Sequence, residues 1–387
     1  MSDLDLPAWS EPFAAETRAK LARAAGLRQL DREWAWGGST GSGVTVAIID
    51  SGVEGSHPVV AGRLVKSVTV EIKDDEANVV DDEPIDMFGH GTACAGIVVG
   101  LAPDVDLMSV RVLGADLRGK GAAFLAGLEW AARNGANVMN LSLSSKSERL
   151  FPFFHEVVDE AYFRHVSLVS AVNNVPGLSY PSTFSSVFSV AAHAIADPET
   201  FFYNPAPPVE WGAWGVDVPI GWKDGGSTVA TGNSFAAPHM CGLVARILGK
   251  HPGLTPFEVK AVLAAVANDP AGFATGNNAG PGGGPALPEE RTAWCRSAKP
   301  GRWPEPSAWP RPRRRPCGAS GCARVREPGG RAALGPPRAG APGGGAHPSF
   351  PVLRGAGTSD VSFAQRLLVC CSLTMHVSSS AGGLRTI

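Results

Sequence analysis

Three residues of chemically active type stand in glycine-flanked segments far apart in the 387-residue chain. Asp50 lies in Ile48-Ile49-Asp50-Ser51-Gly52, His90 in Phe88-Gly89-His90-Gly91-Thr92, and Ser234 in Gly232-Asn233-Ser234-Phe235-Ala236-Ala237-Pro238. Each alone has an ordinary explanation. An Asp before Ser-Gly suits a turn, a His at a helix start is commonly structural, and a Ser there is a common N-cap. Together they could carry nucleophilic catalysis. A serine hydroxyl is nearly inert at neutral pH, so its attack needs a neutral imidazole to take the proton and a carboxylate to hold that imidazole in one tautomer.

Such a trio works only if the fold delivers all three to one place. The continuously apolar run at 44–49 is what a strand buried on both faces needs, and similar runs recur at 107–113, 137–143, 167–172 and 187–192. Helical patterns alternate with them at 90–99, 121–134 and 151–164, and two more follow at 234–250 and 255–267. The alternation predicts an α/β fold, a three-layer sandwich around a mostly parallel central sheet. Reactive groups in such sheets gather beyond the carboxyl ends of the strands, and the three segments all fall at element boundaries on that edge. Pro238 is expected in the first turn of the helix that Ser234 opens, and Thr255-Pro256-Phe257-Glu258 reads as the capped start of the next. A short amphipathic helix is expected at 12–25.

The order Asp, His, Ser and the residues around each resemble the subtilisin-like serine proteases, the subtilases of peptidase family S8. Ile48-Ile49-Asp50-Ser51-Gly52-Val53 is similar to their Asp motif, Gly89-His90-Gly91-Thr92 to their His motif, and Gly232-Asn233-Ser234-Phe235-Ala236-Ala237-Pro238-His239 to their Ser motif. The likeness extends from about residue 43 to 267. It implies a subtilisin-like fold and a serine endopeptidase that hydrolyses peptide bonds through an acyl-enzyme, with Asp50, His90 and Ser234 catalytic. It further implies an oxyanion donor from an Asn side chain after a buried strand. Asn174 matches the family position, with Asn173 as the alternative, and the Ser234 backbone N–H at a helix N-terminus is the second donor. Segments 112–119 and 140–144 resemble the edges between which an extended peptide is added as a strand, which implies substrate binding by Leu117, Gly119, Ser142, Leu143 and Ser144. One residue departs from the pattern: Asn233 stands where the family usually has Thr, and since an Asn amide can still donate toward the oxyanion, altered efficiency rather than loss of activity is expected. His57 and His239 are expected to be structural.

Seven carboxylates crowd residues 74–86. A calcium ion suits oxygen-rich loops, but the spacing matches no known ligand pattern, so a solvated surface loop is expected, with no metal and no required cofactor. Cys94 and Cys241 sit in small-residue stretches as buried apolar groups, and no disulfide framework is implied.

The composition changes after residue 275. The first 275 residues hold 19 Lys/Arg and 31 Asp/Glu, net −12; the last 112 hold 15 and 5, net +10, with 19 Gly and 15 Pro. The expected organisation is an N-terminal extension over 1–42, a peptidase domain over 43–275, and a Gly/Pro/Arg-rich tail over 276–387, disordered or read from GC-rich DNA in the wrong frame. The expected partner is a peptide or protein substrate; nucleic acid is not expected. No signal-like or membrane-spanning apolar stretch is present, so the chain as written reads as cytoplasmic, or as secreted if its start is misassigned. Only about forty residues precede the first strand, so either the chain folds without a prosegment or its start is misassigned.

Overall fold

The strand expected at 44–49 runs from Thr45 to Asp50 (β1) in the computed structural model, which describes residues 30–74, 76–175, 177–206 and 208–270 and the short segments 368–370, 376–377 and 385–386. Val46 and Ile48 pack into one hydrophobic core, while Ala47 and Ile49 pack into another on the opposite face. A strand covered on both sides has no polar face to keep wet, which is why its apolar run is unbroken.

Around β1 lies a nine-stranded sheet. In chain order its other strands are β2 (Leu64–Lys73), β3 (Glu76–Asp81), β4 (Asp106–Arg111), β6 (Val138–Leu141), β7 (Ser167–Ala171), β8 (Phe188–His193), β9 (Phe201–Tyr203) and β10 (Trp211–Trp214). Across the sheet the order is β3-β2-β4-β1-β6-β7-β8-β10-β9, parallel from β2 to β10 and antiparallel only at the edge pairs β2–β3 and β9–β10. Helices α1 (Arg32–Trp36), α2 (His90–Leu101), α5 (Asn233–Lys250) and α6 (Pro256–Val266) share the core of Val46 and Ile48. Helices α3 (Gly121–Arg133) and α4 (Phe151–Phe163) cover the other face through Phe124, Leu128, Phe154 and Val158. These are the three expected layers. Outside the large sheet, β5 (Arg118–Lys120) precedes α3, and β11 (Val218–Trp222) and β12 (Gly226–Ala230) form a hairpin just before α5.

Three expectations need correction. The acidic segment is only partly a loop: residues 76–81 form β3, which pairs with β2, and Asp81 and Asp82 pair with Lys66 and Arg111. The strands β9 to β12 and the five-residue α1 gave no periodic signal, because elements of three to five residues are too short to establish one. Pro238 lies in the second turn of α5, the sixth residue of the helix rather than in its first turn. Lacking an N–H, it leaves the Ser234 carbonyl without its partner four residues on. That carbonyl accepts instead from Ser142 Oγ at 2.8 Å.

The capping box of α6 forms as expected: Thr255 Oγ1 accepts from Glu258 N, and Glu258 accepts from Thr255 N. The helix expected at 12–25 and most of the 276–387 tail lie outside the described residues. Within the tail, Leu368–Cys370 pairs antiparallel with β5. No helix among the described residues is long and apolar enough to cross a membrane.

Candidate active site

The C-terminal end of β1 delivers Asp50, which is completely buried, and the first residue of α2 is His90, equally buried. Between them the chain passes so close that Gly91 is obligatory: a Cβ there would lie 2.0 Å from the Gly52 carbonyl oxygen. Because the helix start rests against the strand tip, His90 Nδ1–H donates to both Asp50 carboxylate oxygens, at 2.8 and 2.9 Å. That bond places the proton on Nδ1 and leaves Nε2, buried and with no hydrogen-bond partner among the described residues, as the basic nitrogen. Burial pulls the His90 pKa down, but the charge of Asp50, its hydrogen bond and the charge of Asp86 outweigh burial and hold it above the ordinary value.

Asp86 is a residue that sequence reasoning missed. Its Oδ1 accepts from Ser51 Oγ, Phe88 N and Gly89 N, and its Oδ2 from Thr92 N and Thr92 Oγ1, at 2.6–2.9 Å. One carboxylate thus ties the Asp50 segment to the start of the His90 helix. The available signal was Gly89, an N-cap with no side chain, so an acceptor for the orphan N–H groups of α2 had to come from just upstream.

Electrostatics of this kind set a pH dependence. A histidine acting as general base must be neutral, so with His90 in that role activity is expected to fall as pH drops through its raised pKa, which places the acid limb of kcat/KM above the ordinary histidine value. Asp86→Asn, which removes a negative charge near the ring, is expected to move that limb to lower pH, as a pH–rate profile of both proteins would reveal.

Ser234 is the second residue of α5 and is almost fully buried. Its Oγ donates to the Ser142 carbonyl at 3.2 Å, so Ser142 and Ser234 exchange hydrogen bonds in both directions. Asn140 Nδ2 donates to Ser142 Oγ and fixes it in turn. Cys94, one turn along α2 from His90, joins the two helix starts: its Sγ lies within 4.8 Å of ligating atoms of Asp50 and His90, and 3.6 Å from the Ser234 carbonyl oxygen. The His90 ring packs on Phe235 with centroids 5.5 Å apart. The starts of α2 and α5 therefore converge on the carboxyl end of β1.

The two candidate oxyanion residues both line the pocket beside Ser234 and differ in what their side-chain oxygens accept. Asn173 Oδ1 accepts from Val175 N within its own turn, whereas Asn174 Oδ1 accepts from Asn233 N, the first N–H of the helix that bears Ser234. The family model described as the subtilase family matches residues 41–284. The chain belongs to the subtilase family. Subtilisin BL of Lederbergia lenta is 34% identical over 238 residues, 58% of this chain and 82% of that protein. Subtilisin DY of Bacillus licheniformis is 31% identical over 250 residues, 60% and 86% of the two chains. Among solved structures, sphericase aligns with a TM-score of 0.51 at 25% identity, covering 62% of this chain and 90% of its own. This subtilase is a serine endopeptidase with a subtilisin-like fold.

Beside Ser234 and Asn174, the cleft of the subtilase is walled by Leu143, Ser144, Ala171 and Val172. Ser142 also borders it, with its side chain donating to the Ser234 carbonyl. Leu117 and Gly119 flank and form β5, where Gly119 admits no side chain because a Cβ would lie 2.3 Å from the Val112 carbonyl oxygen. The remaining histidines near the site are structural. His57 Nε2–H donates to Gly226 O at 2.9 Å, and His239 Nδ1–H to Phe235 O at 2.8 Å, with burial pushing the His239 pKa down to about 4. Cys94 and Cys241 are both buried thiols. One expectation about the site is overturned: the Asn233 amide does not face the oxyanion position, because Nδ2 donates to Val172 O and Asn173 O.

Proposed function

We propose that this subtilase cleaves peptide bonds with Ser234 as nucleophile, His90 as general base and Asp50 as the acid that orients it. The observation that carries this reading is a buried imidazole whose Nδ1–H is held by both oxygens of a buried carboxylate and whose Nε2 has no hydrogen-bond partner among the described residues, packed on Phe235 beside Ser234.

In the reaction, Ser234 Oγ turns from the Ser142 carbonyl toward His90, loses its proton to Nε2 and bonds to the peptide carbonyl carbon. The carbonyl electron pair moves onto oxygen. When it returns, the C–N bond breaks and imidazolium gives the proton to the leaving amine. Water, deprotonated by the same nitrogen, then attacks the acyl-enzyme and restores the serine. The negative oxygen is stabilised by Asn174 Nδ2–H and by the Ser234 N–H, one of the first four amides of α5 that have no partner within the helix. Side chains and backbone supply every group in this scheme, so no cofactor is required.

Peptide or protein substrates would lie extended between β5 and residues 142–144. The pairing of Leu368–Cys370 with β5, with Val369 opposite Gly119, supports this mode, since it uses the same edge for an antiparallel strand. A serine-directed fluorophosphonate should label the enzyme and fail to label Ser234→Ala; labelling that persists in the variant would move the nucleophile elsewhere. Asn174→Ala should lower kcat by about 10²–10³-fold with little change in KM, the scale seen when subtilisin itself loses its oxyanion asparagine.

A further inference from the structure

We infer that Asn233 is a positioning residue that sets the geometry of the oxyanion site by standing in for a missing rung of the central sheet. The inference rests on the proposed role of Asn174.

Strands β7 and β8 run parallel with Ala171 opposite Val190, and the ladder continues one step past β7, where Val172 N donates to Val190 O at 3.0 Å. The alternation of a parallel ladder would next carry Ala192 N–H to the Val172 carbonyl. That bond is replaced. Asn233 Oδ1 accepts from Ala192 N at 2.9 Å, and Asn233 Nδ2 donates to Val172 O at 3.1 Å and Asn173 O at 3.2 Å. The side-chain amide is thus inserted between the strands as a substitute peptide group, with its oxygen facing β8 and its nitrogen facing the end of β7.

Two consequences follow for the chemistry. The wedge makes β7 and β8 part at the point from which Asn174 projects, and it holds the carbonyls of the two residues immediately before Asn174. The backbone N–H of the same Asn233 fixes Asn174 Oδ1 at 2.9 Å, which leaves Nδ2 as the part of that amide able to donate elsewhere. Asn233 also immediately precedes Ser234, whose N–H is the other proposed donor. A single residue therefore links both donors to one point of the sheet. Threonine, usual in the family at this position, has one O–H and a shorter reach. It cannot accept from Ala192 N while donating to both Val172 O and Asn173 O.

The test is a double-mutant cycle on purified enzyme with a chromogenic peptide, reading kcat and KM separately. Asn233→Ala is expected to lower kcat by roughly tenfold to a hundredfold, the cost of misplacing a catalytic donor by about an ångström, with KM held within about threefold. In an Asn174→Ala background the same substitution should cost clearly less than in the parent, because one of the two donors it positions is gone. Asn233→Asp keeps the shape and the acceptor but cannot donate to Val172 O and Asn173 O, so it should behave like the alanine variant. Should Asn233→Ala fail to fold, Asn233→Thr serves in the same cycle and is expected to lose part of kcat. Losses that multiply with those of Asn174→Ala, or that fall on KM alone, would overturn the inference. An Asn174→Ala variant with unchanged kcat would instead remove the oxyanion reading on which it rests.

Discussion

Ser234→Ala is expected to lower kcat by about 10⁶-fold, the scale found in subtilisin when a triad member is removed, while leaving KM and thermal stability close to those of the parent. The reason lies in how the residue is held. Its backbone carbonyl is bonded by Ser142 Oγ and its ring neighbour Phe235 packs on His90, and neither contact involves the Ser234 hydroxyl. Alanine gives up the 3.2 Å bond to Ser142 O but keeps both of these contacts, and therefore removes the nucleophile without disturbing them. The residual rate would come from the oxyanion donors acting on bound substrate. For the same reason His90→Ala added to Ser234→Ala should change kcat little, since an imidazole with no nucleophile to activate contributes almost nothing. Single-turnover assays with active-site titration of the parent would measure this, and a loss below about a hundredfold would remove Ser234 from the mechanism.

The second large effect is expected from Asp50→Asn, about 10⁴-fold in kcat near neutral pH, by analogy with the corresponding change in another serine protease. The carboxylate accepts from Nδ1–H through both oxygens; an amide that turns its NH₂ toward the ring can satisfy Nδ1 only as an acceptor. The imidazole proton then sits on Nε2, where the serine proton has to go. Loss of the Asp50 charge also removes the largest influence that raises the His90 pKa, so the acid limb of the pH–rate profile should shift down together with the amplitude. Ser51 N–H, which donates to Asp50 Oδ1, retains an acceptor in the asparagine oxygen only in the orientation that turns the other amide atom elsewhere. A pH–rate profile and a fluorophosphonate labelling rate, compared with the parent, would separate a wrong tautomer from a collapsed site. A profile unchanged in both respects would remove Asp50 from the proposed triad.

The parts of this molecule that were legible in the sequence are those whose signal is local. β1 announces itself because both of its faces are buried, and the segments around Asp50, His90 and Ser234 carry their glycines next to the reactive residue, where close passage such as that of Gly91 past Gly52 demands them. What stayed hidden depends on partners distant in the chain. Asp86 read as one more charge in an acidic stretch, because its donors come from Ser51, Phe88, Gly89 and Thr92 and only the fold gathers them on one carboxylate. Asn233 is recognisable as a departure, yet the partners of its amide are not, since the vacancy it fills exists only where β7 and β8 diverge. Ser142 read as cleft surface because nothing local reveals that Pro238, nearly a hundred residues later, frees a carbonyl for it.

That last pairing has a bearing on how the enzyme tolerates change. A helix proline is ordinarily a defect to be engineered away, but here the missing rung lets α5 grip the end of β6 at the nucleophile itself. Pro238→Ala would give the Ser234 carbonyl a partner inside its own helix and weaken its bond from Ser142 Oγ, leaving that hydroxyl to Asn140 Nδ2, so the straighter helix would be the less well anchored one. Chimaeras that graft α5 from one relative onto the sheet of another should therefore carry positions 142 and 238 from the same parent.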